Sequence, residues 1–449
     1  MKPIELRDIA DWSGARMIGV KQHKNLITDI CIDSRKVTPG CLFVALKGEK
    51  FDGHTFLQQA LDHGAAAVMG EIDFEGRPYL QVKNTAQALL DLAAGYRKCF
   101  DVAIVAVTGS VGKTTTKEMV ASVLTQKYCC LKTQGNYNNE IGVPLTLFQL
   151  EDRHEIAVIE MGMNHFGELS RLTRAAEPNG AVINNIGMSH IENLGSREGI
   201  LRAKLEILEG LRPGGIAFLN GDDAYLNQVK TNCATVWYGC GEGCQVRAQD
   251  IQANGSLFSF MCQELPRRVT VPVPGRHNIY NALAAIAVGL AYEVPGEQIV
   301  QGIEQSHSIG MRMKTEQHGG ITVILDCYNA NPDSMRAAIS VLKEAKGKRK
   351  IALLGDMLEL GDYSQQAHFE VGTFASGLDG LLTVGNEAEQ ICQGADNVKI
   401  KKHFTKNDEV CHFLASCLQE GDTVLIKGSR GMKMEEIWQW MKGHEGWKN

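Results

Sequence analysis

Between an apolar run at 102–107 and a helical pattern at 118–124 stands Thr108-Gly109-Ser110-Val111-Gly112-Lys113-Thr114-Thr115. Strand, glycine loop, Lys-Thr and helix are the parts of a phosphate cradle. Backbone N–H groups and the helix N-terminus receive the anion, a lysine neutralises its terminal charge, and a threonine hydroxyl ligates Mg2+. Gly109, Ser110, Val111, Gly112, Lys113, Thr114 and Thr115 are the candidate nucleotide contacts, and Lys113 is also a catalytic candidate. The common motif has its first glycine five residues before the Gly-Lys pair, where this chain has Val107, so Gly109 takes that place. A tight turn with a solvated lysine is the alternative, and the strand-to-helix setting argues against it.

Magnesium beside phosphate needs hard oxygen donors, one or two of them protein carboxylates. Glu160 ends the apolar run 156–159, where a buried charge is costly without a partner. A metal ligand and a solvated strand-end carboxylate both fit that place. His190 follows the run 181–186 through Gly187-Met188-Ser189, on the same edge of the expected sheet. It is a ligand or a hydrogen-bonded structural histidine. Lys204 shares a stripe with Ile200, Leu201 and Leu208 at helical spacing, behind a capping Ser196, so it faces inward. Snorkelling of its ammonium to water is the plain reading of such a lysine.

These residues need a scaffold that ends several strands at one edge. Apolar runs at 156–159, 181–186 and 216–219 alternate with helical segments such as 197–211, which predicts a mostly parallel sheet with helices on both faces. Between 234 and 274 short alternating runs predict a small antiparallel β insert, closed by a helix over 278–290. Upstream, runs at 27–32, 42–46, 65–69 and 79–82 around a helix near 55–63 predict a small α/β unit. From about Gly310 the rhythm returns. Strands at 322–325, 350–354, 381–384 and 423–426, each followed by a helix, predict a doubly wound, Rossmann-like sheet. The expectation is an α/β chain of three domains, at about 150 residues each for 449 in all. They are a small domain at 1–84, a central phosphate-loop domain at 85–309 and a C-terminal domain at 310–449. Ligands of such sheets sit beyond the carboxyl ends of the strands.

With 46 Lys and Arg against 52 Asp and Glu, the formal charge is −6, which argues against a nucleic-acid binder, whose affinity comes from many cations on phosphates. An apolar share of 44% with 22% charged residues is that of a globular chain, not a disordered one. The first residues include Glu5 and Asp8 and lead into no signal-peptide core, and the longest apolar stretch, 279–292, is short for a bilayer and contains Asn281. A cytoplasmic chain without membrane insertion is expected, acting as a monomer. Thirteen cysteines, with no Cys-x-x-Cys pair, fit neither a disulfide framework nor a zinc ribbon. Cys233, Cys240 and Cys244 lie close in sequence without a histidine and read as half-buried thiols.

The loop at 108–115, Asn136-Tyr137-Asn138-Asn139-Glu140-Ile141-Gly142-Val143-Pro144, Glu160-Met161-Gly162, His190-Ile191-Glu192 and Gly275-Arg276-His277-Asn278-Ile279-Tyr280-Asn281-Ala282 together resemble the Mur ligase family, over essentially the whole chain. These are ATP-dependent amide ligases of peptidoglycan precursor synthesis. Tyr328-Asn329-Ala330-Asn331-Pro332-Asp333-Ser334-Met335, Leu354-Gly355-Asp356-Met357-Leu358-Glu359-Leu360-Gly361 and Lys427-Gly428-Ser429-Arg430 resemble the members that add D-alanyl-D-alanine to UDP-N-acetylmuramoyl-tripeptide. The Asp-Asn-Pro-Arg of diaminopimelate-adding relatives is absent, and Asn331-Pro332-Asp333-Ser334 stands instead.

The resemblance implies ATP on Lys113 and its loop, one Mg2+ on Thr115 and Glu160, and a second on Glu160, His190 and Lys204, the lysine carbamylated to offer an oxygen. It implies adenine at Asn278 and Asn281, with Arg312 and Asp326 on the nucleotide from the C-terminal domain. Uridine diphosphate falls to Ser34 and Arg35, with Gly48 and Phe51-Asp52-Gly53-His54. The muramoyl peptide falls to Asn136, Asn138 and Asn139, and the dipeptide to Asn329, Asn331 and Arg430. A carboxylate is a poor electrophile, so the implied route runs through an acyl phosphate made from ATP. Hinge closure near Gly310 is expected to assemble the site and shut out water. Two other classes compete. A folylpolyglutamate-synthase-like ligase has no need of Asp33-Ser34-Arg35, and a switch GTPase needs Asn-Lys-x-Asp, whereas this chain has no Asn-Lys pair.

Overall fold

The computed structural model describes residues 1–19, 26–48, 51–307 and 310–444. The fold is α/β in three domains, and the boundary expected at 309/310 touches a residue outside that description. The N-terminal sheet has the order Arg16–Ile18, Tyr79–Gln81, Ala67–Gly70, Cys41–Val44, Asp29–Cys31, its first pair antiparallel and the rest parallel. Cys41–Val44 is buried at every position, which is why a continuous apolar run marks it. The helix Leu6–Ser13 was not expected, because eight residues with only Leu6, Ile9 and Ala10 buried make too short a period to register.

The central sheet has seven strands, in the order Val246–Arg247, Ala234–Gly239, Ile216–Asn220, Gly180–Ile183, Ala103–Thr108, Ile156–Glu160, Cys130–Lys132. Ala103–Thr108 and Ile156–Glu160 are parallel, with Glu160 opposite Val107. Three expectations are corrected. Residues from 234 to 247 extend this sheet, so the antiparallel insert is only Gln249–Asn254, Leu257–Met261 and Val269–Val271. Tyr238 is the anchor of that extension, fully buried with its hydroxyl donating to the Ile183 carbonyl at 3.2 Å. The strand expected to reach Ile186 stops at Ile183, because Asn184 and Asn185 turn their amides to Thr116 and Val111. The helix expected to reach 211 ends as Arg197–Leu205 and tightens into the 3-10 turn Glu206–Gly210, where the Glu206 carboxylate accepts from the N–H groups of Gly167 and Ser170. The helix Lys113–Leu124 packs on Asn278–Ala291 so closely that a Cβ on Gly289 would lie 2.7 Å from Val123.

The C-terminal sheet runs Lys314–His318, Ile321–Asp326, Thr423–Lys427, Lys350–Gly355, Gly380–Val384, Ile400–Phe404, antiparallel at the first pair and parallel elsewhere. Both edge strands are additions to the sequence reading. Polar residues such as Lys314, Glu316, Lys401 and Lys402 hide an edge strand's apolar signal while protecting it from pairing with another chain. Val323, Leu353, Leu382, Val424, Ile426 and Trp438 share the core of one face. All thirteen cysteines are free thiols, with Cys233, Cys240 and Cys244 half-buried. Among the described residues no helix is long and apolar enough to cross a membrane. Packing divides the chain into two compact units, one of 1–108, 128–182 and 205–217, the other of 109–127, 183–204 and 218–449.

Candidate active site

In the first unit, Glu160 ends its strand with 1% of its surface exposed. Its N–H donates to Thr133 Oγ1 at 3.0 Å, and Asn138 Nδ2 donates to its Oε1 at 2.7 Å. The Met161 N–H bonds to the Val107 carbonyl at 2.9 Å, which sets the carboxylate level with the residue before Thr108. A carboxylate so buried needs donors or a cation to stay charged. Asn139 has a different task, accepting the N–H groups of Ile141 and Gly142 at the start of helix Gly142–Leu147. Asn136 is exposed.

In the N-terminal sheet's loops, Arg35 grips both Asp33 oxygens at 2.8 and 2.9 Å, which pulls the Asp33 carboxyl down to about 2. The guanidinium is held at the surface, 85% exposed, while Ser34 beside it is buried. His54 Nδ1 lies 2.6 Å from Asp52 Oδ1 and its Nε2 accepts the Glu71 N–H at 2.9 Å, so the ring is held from both sides. That histidine is engaged by the fold, while Phe51 before it is exposed.

The phosphate loop opens the second unit. Gly112 has a φ of +83°, and a Cβ there would lie 2.8 Å from Asn281 Oδ1, so no other residue fits. Lys113 Nζ donates to the Gly109 carbonyl at 2.9 Å, across the loop. Thr114 is buried and Thr115 half-buried. Asn185 holds the far side, its carbonyl accepting the Ser110 N–H at 3.1 Å and its Oδ1 the Val111 N–H at 2.9 Å. Below runs a chain of polar side chains. Asn184 Nδ2 donates to Thr116 Oγ1 at 2.7 Å, Thr116 to Asn281 Oδ1 at 2.9 Å, Asn281 Nδ2 to Asn278 Oδ1 at 2.8 Å, and Asn278 Nδ2 to the Pro274 carbonyl at 2.7 Å. All four side chains are buried, so each bond stands where water cannot. Thr116 and Asn184 were not sequence candidates. The polar pair Asn184-Asn185 directly after an apolar run was the signal for them.

Lys204 is 1% exposed and does not snorkel. Burial, and after it the charge of Lys113, pushes its ammonium well below the usual lysine range. His190 carries a left-handed φ of +62°. The turn before it reaches the phosphate loop, with the Gly187 N–H donating to Ser110 Oγ at 2.8 Å and Ser189 Oγ to the Ser110 carbonyl at 3.1 Å.

The C-terminal domain grips the same turn. The Asn331 amide oxygen accepts the Ser334 N–H at 2.8 Å, capping helix Pro332–Glu344, and its Nδ2 donates to Ser189 Oγ at 2.5 Å. Asp333 Oδ2 accepts the Met188 N–H at 3.1 Å. Asp326 and Lys427 sit opposite each other on adjacent strands, joined at 2.6 Å, and Lys427 also donates to the Asn329 carbonyl at 2.9 Å. Arg312 stacks on Tyr328 at 3.7 Å. Arg430 is surface-exposed and pairs with Glu435 at 2.7 Å. Asp333 and Lys427 also escaped the sequence reading, although both lie within motifs quoted there.

No group of three His, Cys, Asp or Glu side chains set to hold a metal occurs among the described residues. Mg2+ asks for fewer protein donors, one or two carboxylates with phosphate and water filling the rest of its shell. The buried, strand-end carboxylate of Glu160 fits that need.

The chain belongs to the Mur ligase family, matching its catalytic domain at 26–97, the Mur ligase middle domain at 107–289 and the Mur ligase glutamate ligase domain at 311–430. It is 39% identical to the UDP-N-acetylmuramoyl-tripeptide–D-alanyl-D-alanine ligase of Bacillus subtilis (strain 168), over 96% of this chain and 97% of that protein. A crystal structure of MurF from Acinetobacter baumannii matches with a TM-score of 0.93 at 34% identity, covering 99% of this chain and 100% of that one. MurF ligase from Thermotoga maritima in complex with ADP matches at 0.84 and 29% identity, over 92% and 97%.

Proposed function

We propose that this chain uses ATP to join D-alanyl-D-alanine to UDP-N-acetylmuramoyl-tripeptide, giving the UDP-muramoyl-pentapeptide of peptidoglycan synthesis, ADP and phosphate. One observation carries the reading: a phosphate loop braced at Ser110, Val111 and Thr116 in a chain similar, end to end, to ligases of that name. An oxygen of the tripeptide carboxylate bonds to the γ-phosphorus as the bond to the β,γ-bridging oxygen breaks, and ADP leaves. The dipeptide amine then bonds to the acyl carbon with loss of a proton, and the carbon–oxygen bond to phosphate breaks. Lys113 and the N–H groups of the loop neutralise charge on the transferring phosphoryl group.

Mg2+, when bound, spreads the phosphoryl charge and holds its oxygens in line. Thr115, Glu160, His190 and Lys204 would hold it. The depressed basicity of Lys204 supports its carbamylation, since a neutral buried amine can add carbon dioxide, lose a proton and become a carbamate oxygen donor. Asn278 and Asn281 serve adenine as well as the loop's floor, with Arg312 and Asp326 on the rest of the nucleotide. Ser34 and Arg35 take the uridine diphosphate, Asn136, Asn138 and Asn139 the muramoyl peptide, and Asn329, Asn331 and Arg430 the dipeptide. Domains at 1–84, 85–309 and 310–449 divide these tasks in a cytoplasmic monomer.

Phosphate release from ATP with the UDP-tripeptide, with and without D-Ala-D-Ala, tests the reading when the product is weighed by mass spectrometry. Dipeptide-dependent turnover and a pentapeptide mass are expected. Turnover with a different amine alone would overturn the substrate, and none with any pair would overturn the ligase.

A further inference from the structure

His190 Nδ1 lies 2.6 Å from Glu359 Oε2, a close but oblique contact between a largely buried ring and a carboxylate of the C-terminal domain. Both residues have a φ of +62°, a left-handed conformation that strains a non-glycine residue and persists only where the surroundings impose it. The surroundings do so on both sides. The Leu358 N–H donates to Ser429 Oγ at 2.9 Å, the Met357 N–H to His368 Nε2 at 2.9 Å, and Asp356 accepts the N–H groups of Asn386, Glu387 and Ala388. The His190 turn is fixed by Ser110, Asn331 and Asp333. The segments that follow the two turns also touch, the Tyr363 hydroxyl donating to the Gly195 carbonyl at 3.1 Å. An incidental surface ion pair needs none of this, because two flexible side chains can meet without two strained backbones.

We propose that Glu359 is a positioning residue for His190, acting from the C-terminal domain. By taking Nδ1 it fixes the ring's tautomer and direction and leaves Nε2 for a metal, the arrangement that metal-binding histidines commonly have with an outer carboxylate. This inference rests on the reading of His190 as a magnesium ligand. Its consequence is that the seating of the C-terminal domain tightens the grip on the metal, so the domain that receives the dipeptide also tunes the phosphoryl site.

The test is Mn2+ binding to the full chain with the non-hydrolysable analogue AMP-PNP, read by the electron paramagnetic resonance of free Mn2+. Wild type is compared with H190A, E359A and E359Q, and melting temperatures check that each variant folds. H190A defines the histidine-dependent component. E359A should weaken that component about 10–100-fold, as loss of such an outer partner does, while E359Q, which keeps an oxygen beside Nδ1, recovers most of it. Wild-type Mn2+ affinity in E359A, with H190A impaired, would overturn the positioning role. E359Q as impaired as E359A would make the carboxylate a direct ligand and overturn it too. Wild-type affinity in H190A would overturn the metal reading of His190 itself, and the proposal with it.

Discussion

The Thr116 hydroxyl donates to Asn281 Oδ1 at 2.9 Å and accepts from Asn184 Nδ2 at 2.7 Å, tying the phosphate-loop helix to a residue 165 positions away. Thr116→Val keeps the shape and removes both partners, leaving two buried polar groups unsatisfied at about 1–3 kcal/mol each. Urea denaturation should show a loss of about 2–4 kcal/mol, with a raised KM for ATP, and Thr116→Ser should recover most of both. A Thr116→Val chain as stable as wild type would mean the loop does not depend on this floor.

Asn138 is the side chain that donates to the Glu160 carboxylate, at 2.7 Å. Asn138→Ala should therefore cost about tenfold or more in kcat and raise the Mg2+ concentration for half-maximal rate, as loss of an outer partner to a metal ligand does. A Mg2+ titration of the rate checks it, and an unchanged Mg2+ dependence would count against Glu160 as the ligand.

Asn331 combines a helix cap with a donor to Ser189, and the two can be separated. Asn331→Asp keeps an acceptor for the Ser334 N–H, so stability should stay within about 0.5 kcal/mol of wild type. The donor to Ser189 is lost, and kcat should fall about tenfold as the turn that holds Ser110 loosens. Asn331→Ala should lose about 1 kcal/mol of stability besides. Full turnover in Asn331→Asp would show that the contact does not reach the phosphates.

Much of this was legible because it is local. The cradle at 108–115, the strand-end Glu160 and the inward Lys204 each follow from a few neighbouring residues. What escaped depends on partners far away in sequence. Nothing near Thr116 announces Asn281, and Glu359 lies in a quoted motif with no local sign that it meets His190. The extent of the central sheet escaped because residues 234–247 alternate like the insert that follows them, and only their pairing, with Tyr238 bonded to the Ile183 carbonyl, assigns them to the larger sheet.

His368 sits fully buried under the turn that carries Glu359, its Nε2 accepting the Met357 N–H and its Nδ1 2.7 Å from the Ser364 carbonyl. Burial holds its imidazole below the usual histidine range. Below about 6.5 the unfolded chain takes up a proton that the folded chain refuses, so stability falls as pH drops towards the folded value. Above about 6.5 both states are neutral and the contribution is complete. Denaturation midpoints at pH 7.5 and 5 should therefore differ more for wild type than for His368→Gln. Parallel pH profiles for the two would contradict a neutral, acceptor-state His368.

In the proposed reaction the tripeptide carboxylate is activated by the ATP held on Lys113 and its loop before the dipeptide arrives. Labelling that carboxylate with oxygen-18 and weighing the phosphate released in turnover tests it most directly. One labelled oxygen per phosphate is expected, carried over when the acyl phosphate breaks. Unlabelled phosphate, with product formed, would contradict it.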